Sequence, residues 1–273
     1  KTFGGLLKIT DPLLHKQYLL ERYSEGVAGP RANKDPKFEF KTPEFGAPDR
    51  LIDKLMDRVD TLDATHMAVE YCTQRQIPKE QWNRLYHIEN IKDICQLNPK
   101  YKDRIKSDES RLAIPFFNEE GILTAVTLRS YGASPLRYIM VKINEDSPTV
   151  FGLDCISKSK PVKIVEGPLD SLFLDNCIAC AGTSFNKIEA LNLPEDSIIV
   201  VDNQPKNKEV CNIIYKYIKA GKRVVIWPDN ILEKDINEMV LAGVLPVNME
   251  DIISNNVFQD LEAELKFVNW RKC

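Results

Sequence analysis

A chain of 273 residues, 43% hydrophobic and 28% charged, has room for one large domain or two smaller ones and the composition of an ordinary globular protein. No apolar run approaches the length that spans a bilayer, and nothing at the N-terminus reads as a secretory signal, so no membrane partner is expected and the expected location is the cytoplasm. The net charge of −3 is unevenly spread: residues 161–273 hold 12 Lys+Arg against 17 Asp+Glu, and residues 1–160 hold 25 against 23, which permits a nucleic-acid partner without announcing one.

Asp11 followed by Pro12 opens a short helix over 11–23. Seven Gly and Pro residues between Gly26 and Pro48 make 24–48 a linker or extended arm. Leu51, Ile52, Leu55, Met56 and Val59 then fall at helical spacing. A second helix is expected over 63–74, with Met67, Ala68 and Tyr71 on one face, and another from Lys79 to Leu85. Arg111–Phe117 and Ile122–Arg129 flank a turn ending in Gly121, which reads as a β-hairpin, and Arg137–Lys142 joins the same sheet. The part from 49 to 160 is therefore expected to be mixed, with helices ahead of a small antiparallel sheet.

From residue 161 strands and helices alternate. Strands are expected at Val162–Val165, Ile178–Ala181, Ser197–Val201 and Arg223–Trp227. Helical stretches are expected at Leu169–Leu174, at Lys208–Ala220 stopped by Gly221, and at Asp235–Ala242 ending at Gly243. The alternation implies an α/β fold, a parallel sheet with helices on both faces. The tail after 248 adds two helical stretches, the last carrying Phe267 and Trp270. Cys177 and Cys180 sit in an apolar stretch with no second pair to complete four zinc ligands, and they read as buried thiols.

Three acids carry the chemistry. Glu166, Asp202 and Asp235 each come at or just after the end of an apolar strand. Ligands of parallel sheets sit beyond the carboxyl ends of the strands. Carboxylates gathered there suit a hard divalent cation, Mg²⁺ or Mn²⁺, which is usually held by one or two protein carboxylates plus substrate phosphates. Such an ion serves phosphodiester chemistry. Gly167 lets the backbone turn tightly and approach a phosphate. His15, His66 and His87 lie in weak contexts, and none reads as a general base.

The motifs Glu166-Gly167, Gly182-Thr183-Ser184, Asp202-Asn203-Gln204 and Lys234-Asp235-Ile236-Asn237 resemble, in this order, those of the Toprim domain. The resemblance implies a Toprim domain over 161–247, with Glu166, Asp202 and Asp235 catalytic. Metal ligands would be Glu166, Asp202, Gln204, Asp235 and Asn237. Gln204 stands where the family has a second acid, so a second metal would be held more weakly.

The 111–129 hairpin, Pro135-Leu136-Arg137-Tyr138 and Val150-Phe151-Gly152-Leu153-Asp154 resemble the domain that precedes Toprim in DnaG-type primases. That likeness implies a basic subdomain over 49–160. Arg111, Arg129, Arg137 and Lys142 would face template and nucleotide, with Gly167 and Lys234 at the phosphates. Glu166–Phe173, Asp202–Lys208 and Val225–Pro228 are most similar to the primases of T4-like bacteriophages. Such primases begin with a zinc ribbon and work with a replicative hexameric helicase. No ribbon cysteine set is present and Lys1 is not an initiator methionine. Residues 1–48 therefore read as the exit segment and linker after a missing ribbon, zinc belongs only to that module, and the helicase would be a separate protein. Residues 248–273 read as a helical tail. The function implied is a magnesium-dependent DNA primase core that joins ribonucleoside triphosphates on single-stranded DNA within a primosome. A Toprim metal-dependent nuclease and a catalytically reduced Toprim DNA-binding module are the alternatives.

Overall fold

A computed structural model describes residues 3–24, 48–181, 188 and 190–273. The chain divides into two compact units, Lys1–Phe45 and Gly46–Cys273.

In the first unit, helix α1 (Phe3–Thr10) packs on helix α2 (Pro12–Ser24). Asp11 accepts hydrogen bonds through Oδ1 from the backbone N–H groups of Leu13 and Leu14, both at 3.0 Å, so the expected helix has the expected cap. Helix α1 was not expected. Gly4 and Gly5 weigh against it on propensity, but the bare Cα of Gly4 is what admits the Tyr18 ring, which a Cβ would meet at 3.0 Å. Phe3 closes the same contact, edge-on to Tyr18 at 5.5 Å. The arm expected over 24–48 lies outside the described residues except at its two ends.

The second unit contains two sheets. Helices α3 (Pro48–Leu55) and α4 (Met67–Gln74) lead into the first. His66 caps α4, its Nδ1 accepting from the Ala68 N–H at 3.1 Å. Lys79–Arg84 forms a 3₁₀ helix where an α-helix was expected. Strands β1 (Asp57–Arg58), β2 (Tyr86–Ile88), β3 (Arg111–Phe117), β4 (Leu123–Arg129) and β5 (Tyr138–Lys142) form an antiparallel sheet in that order. The expected hairpin is β3–β4, turned at Gly121 with φ +74°, a left-handed conformation that favours glycine. Strands β1 and β2, of two and three residues, are too short to leave a pattern in the sequence.

The second sheet comprises β6 (Lys163–Val165), β7 (Cys177–Ala179), β8 (Ile198–Ile199), β9 (Arg223–Val225) and β10 (Val257–Phe258), in the order β10-β9-β8-β6-β7. The first four are parallel, as expected, and β10 adds an antiparallel edge. Helices α5 (Lys208–Lys219) and α8 (Asp260–Trp270) cover one face, burying Ile214, Tyr217, Phe267 and Trp270 against Ile164, Ile178 and Val224. Helices α6 (Ile236–Leu241) and α7 (Pro246–Asn255) lie on the other, where Met239, Met249 and Ile253 join Val165, Ala179 and Val225.

That second face shares its core with the first sheet. Leu112, Ile114, Phe116 and Ala125 project from β3 and β4 into the same cluster. Phe151 ties the sheets together. Its backbone exchanges hydrogen bonds with Ala179 at 2.8 and 3.0 Å, and its ring meets Phe116 edge-on at 5.8 Å. Alternation along β3 and β4 sends Ala113, Leu123, Val126 and Leu128 to a separate core with Ile88, Ile91 and Ile94. The face that carries Leu112 and Arg129, paired across the two strands, is thus the one turned toward the parallel sheet.

Candidate active site

The parallel sheet delivers its acids to one rim. Glu166 follows β6 directly, and Asp202 follows the buried run Ile198–Val201. Asp235 caps α6, accepting from the Glu238 N–H at 2.9 Å. All three line one cavity of about 440 Å³.

A fourth acid, Asp170, stands in the same wall at the start of the 3₁₀ helix Asp170–Phe173. Its Oδ1 accepts from the backbone N–H of Asn237 at 3.0 Å. A Cβ at position 167 would lie 2.2 Å from its Oδ2, so Gly167 both lines the cavity and leaves the space that the Asp170 carboxyl fills. Nothing in the motif spacing singled out Asp170. The available signal was an acid inside the otherwise buried stretch Leu169–Leu174.

Burial and mutual repulsion act on these acids together. The carboxyl of Asp170 is pushed up to about 7, first by burial and then by the charges of Asp235 and Asp202. Asp202 is raised to about 6 by burial and by Glu166 and Asp235, against the opposing pull of Lys234. The Lys234 ammonium, also in the cavity wall, is 3.7 Å from Asp202 Oδ2. The donor set is therefore all carboxylate, crowded, and short of positive charge, which fits a hard divalent cation. Among the described residues no three His, Cys, Asp or Glu side chains are grouped closely enough to grip an ion alone. An ion held by one or two carboxylates, with its remaining positions left to water and phosphate, is what this arrangement accommodates.

The facing wall is basic. Arg129, at the end of β4, donates through Nε to the Tyr71 hydroxyl, and its guanidinium lies over the Tyr138 ring at 4.9 Å. Burial, followed by the charges of Arg75 and Arg137, lowers its pKa. Arg137 lies 5.9 Å from the centre of the Tyr138 ring. Arg75, at the C-terminal end of α4, was not foreseen. Its guanidinium stacks over Tyr71 at 5.0 Å and donates through Nη1 to Asn237 Oδ1, and its buried Nε has no hydrogen-bond partner among the described residues. Arg75, Arg129 and Arg137 line both the acidic cavity and an adjoining one of about 630 Å³ walled by Tyr131 and the loop 130–135.

Several expectations are corrected. Arg111 does not face the site. Leu112 shares a face with Arg129, so Arg111 points the other way; it is 1% exposed. Its Nε and Nη2 donate to Glu109 at 3.0 and 2.6 Å, and its Nη1 to the Leu136 carbonyl at 2.7 Å, so the guanidinium is a buried brace. Gln204 does not line the acidic cavity. Its Nε2 donates to Asp202 at 3.0 Å and its carbonyl accepts from Asn207 at 3.2 Å, so the oxygen that would ligate a metal is turned to Asn207. Asn237 lines the cavity but is 3% exposed, with its carbonyl accepting from Arg75 and its Nδ2 donating to the Arg75 carbonyl at 2.8 Å. Its side chain joins α6 to α4 and is not free to ligate. Lys142 is also outside the lining; its backbone is held by Tyr101 and Asn98. Gly182-Thr183-Ser184 lies outside the described residues. Cys177 and Cys180 are buried thiols outside any disulfide, as expected, and burial raises both pKa values.

No model of a known protein family matches the chain. A DNA primase of Enterobacteria phage T4 is 30% identical to it over 277 aligned residues, covering 98% of this chain and 78% of that protein. Solved structures share its fold. A DnaG primase catalytic domain bound to single-stranded DNA superposes with a TM-score of 0.59 at 15% identity, covering 82% of this chain and 81% of that one. The Escherichia coli primase catalytic core gives 0.58 at 15%, covering 81% and 82%. The Aquifex aeolicus primase, with its zinc-binding and RNA polymerase domains, gives 0.59 at 18%, covering 83% and 67%.

Proposed function

This chain belongs to the DNA primase family, and from that premise we propose that its acidic cavity is where ribonucleotides are joined on a DNA template. The protein is a primase catalytic core, a DNA-directed RNA polymerase. Glu166, Asp202 and Asp235, with Asp170 behind them, would hold magnesium or manganese. Such an ion, when bound, neutralises charge on the transferring phosphoryl group and activates the attacking hydroxyl.

The chain's own residues supply the rest. Arg75 offers a buried donor without a partner among the described residues, and Arg137 an exposed guanidinium in the same wall; both suit triphosphate or template phosphates. Tyr71 and Tyr138 hold Arg129 in place through ring and hydroxyl contacts. Lys234 offsets part of the acidic charge until a cation arrives. The template would be single-stranded DNA, tracked by the arginine-lined cavity. We further assign the chain to a phage primosome acting in the host cytoplasm beside a separate hexameric helicase, on the likeness to the phage T4 relative. No helix is long and apolar enough to cross a membrane among the described residues.

The observation that carries this reading is a single cavity with four carboxylates on one wall and three arginines on the other. Asp202→Asn tests it. Dinucleotide synthesis on a single-stranded template in magnesium should fall at least about 100-fold, with the thermal unfolding curve retained. Undiminished synthesis sinks the assignment. Magnesium-dependent cleavage of labelled DNA without nucleotides, lost in the same variant, would show a nuclease instead.

A further inference from the structure

Gln204 is left without a role by the acidic cavity, and its surroundings suggest one. Residues 203–207 line a third cavity, of about 690 Å³. Lys206, Lys234 and Lys272 stand in its wall against a single acid, Asp229. Among the described residues Lys206, which is exposed, has no carboxylate within salt-bridge distance, and the Lys272 ammonium donates to the Asn269 carbonyl at 2.9 Å.

The floor is built rather than incidental. The buried Trp270 donates its indole N–H to Asn203 Oδ1 at 3.1 Å. Asn203 in turn donates to the carbonyls of Ile231 and Glu233 at 2.9 and 3.1 Å, and through its backbone to Lys234 at 2.7 Å. The Lys272 backbone N–H holds the Pro205 carbonyl at 2.8 Å. These bonds fix the frame on which the three lysines are mounted.

The geometry points to a second phosphate-binding site in this cavity, distinct from the acidic one and sharing Lys234 with it, that takes a pyrophosphate group or the phosphates of a nucleic-acid strand. Lys234 stands in both walls, 3.7 Å from Asp202, too far for a hydrogen bond and so free to turn to an anion in this cavity. An acid at 204 would repel such an anion. The amide found there instead binds Asp202 and Asn207 and adds no charge. A strongly hydrated ammonium binds phosphate as a point charge, so affinity here would be salt-sensitive and tolerant of phosphate type.

The test is lysine acylation of the whole protein, read by mass spectrometry, in chelator to keep divalent cations out of the acidic cavity. Pyrophosphate should slow acylation of Lys206 and Lys272 several-fold and leave Lys100, on a separate surface, unchanged. A single-stranded oligonucleotide forms the second arm. Protection by pyrophosphate alone identifies a free polyphosphate ligand, and protection by the oligonucleotide identifies a strand; either supports the site. A Lys206→Glu, Lys272→Glu variant, which removes two charge-assisted contacts, should weaken that ligand's protection of Lys234 by at least about tenfold. The proposal is overturned if neither ligand protects Lys206 and Lys272, or if the double variant protects Lys234 as well as the parent. Asp202→Asn, which disables the acidic cavity, should leave protection of Lys206 intact, so failure here and failure of the polymerase reading are separable.

Discussion

Asp170 bears most of the cavity's charge conflict. Its carboxyl sits between Gly167 and the Asn237 N–H, and burial together with Asp235 and Asp202 holds it up to about 7. Between the ordinary value of 3.8 and that figure, the native state binds more protons than the unfolded chain. The stability linked to this group is thus fully present below about pH 4 and lost as pH rises through 7. Asp202 acts with the same sign up to about 6. Asp170→Asn keeps an oxygen to accept from Asn237 and removes the charge. In metal-free buffer D170N should unfold with the parent near pH 4 and be more stable above pH 7, by roughly 2–4 kcal/mol from the conversion of a pKa gap to free energy. Stability differences that do not vary with pH would remove the charge argument.

The turn from β6 into the 3₁₀ helix shows how an element sets the site. A methyl at 167 must displace the Asp170 carboxyl from a space 2.2 Å away, and with it the bond to Asn237 that ties α6 to this turn. Gly167→Ala should cost about 1–3 kcal/mol, the usual range for overpacking. In an Asp170→Ala background the same change should be close to neutral. Urea midpoints at constant slope measure both, and the coupling is the difference. At this scale the sequence was informative wherever an apolar run had acids or glycines at its end. Glu166 and Asp202 were found that way, and so was the β3–β4 hairpin; Asp235, expected at a strand end, instead caps α6 well beyond β9. It was silent where facing direction depends on partners. Arg111-Leu-Ala-Ile-Pro-Phe-Phe is apolar on both faces, so no alternation told which way Arg111 turned, and only its pairing with β2 and β4 decides it. Arg75 was equally hidden, because a charge at a helix end reads as solvated until α6 packs beside it. Strand β10 is two residues long and exists through its pairing with β9.

Across the whole molecule, charge opposes the function. With 37 Lys+Arg against 40 Asp+Glu, the average field does not attract DNA. Screening confines fields to about 8–10 Å at physiological salt, so a local wall outweighs the total. That wall is long-range in sequence: Arg75 comes from a helix end, Arg129 and Arg137 from either side of a loop, and the docking of the two sheets sets them opposite the acids. Their contributions should differ. Arg129 is 4% exposed and spends Nε on Tyr71, so Arg129→Ala should cost folding stability as well as binding. Arg137 is exposed, and Arg137→Ala should fold as the parent does. Each phosphate neutralised on a single strand contributes about −0.7 to the slope of log K against log salt concentration. R137A should therefore make that slope shallower by about 0.7 for a single-stranded template. Lys100→Ala, outside both arginine-lined cavities, should leave it unchanged. Fluorescence anisotropy of a labelled oligonucleotide between 50 and 300 mM salt, roughly the range over which such slopes are read, gives both values. Equal slopes for R137A and the parent, or an equal loss in K100A, would mean that template is held by diffuse charge and not by the wall that faces the acids.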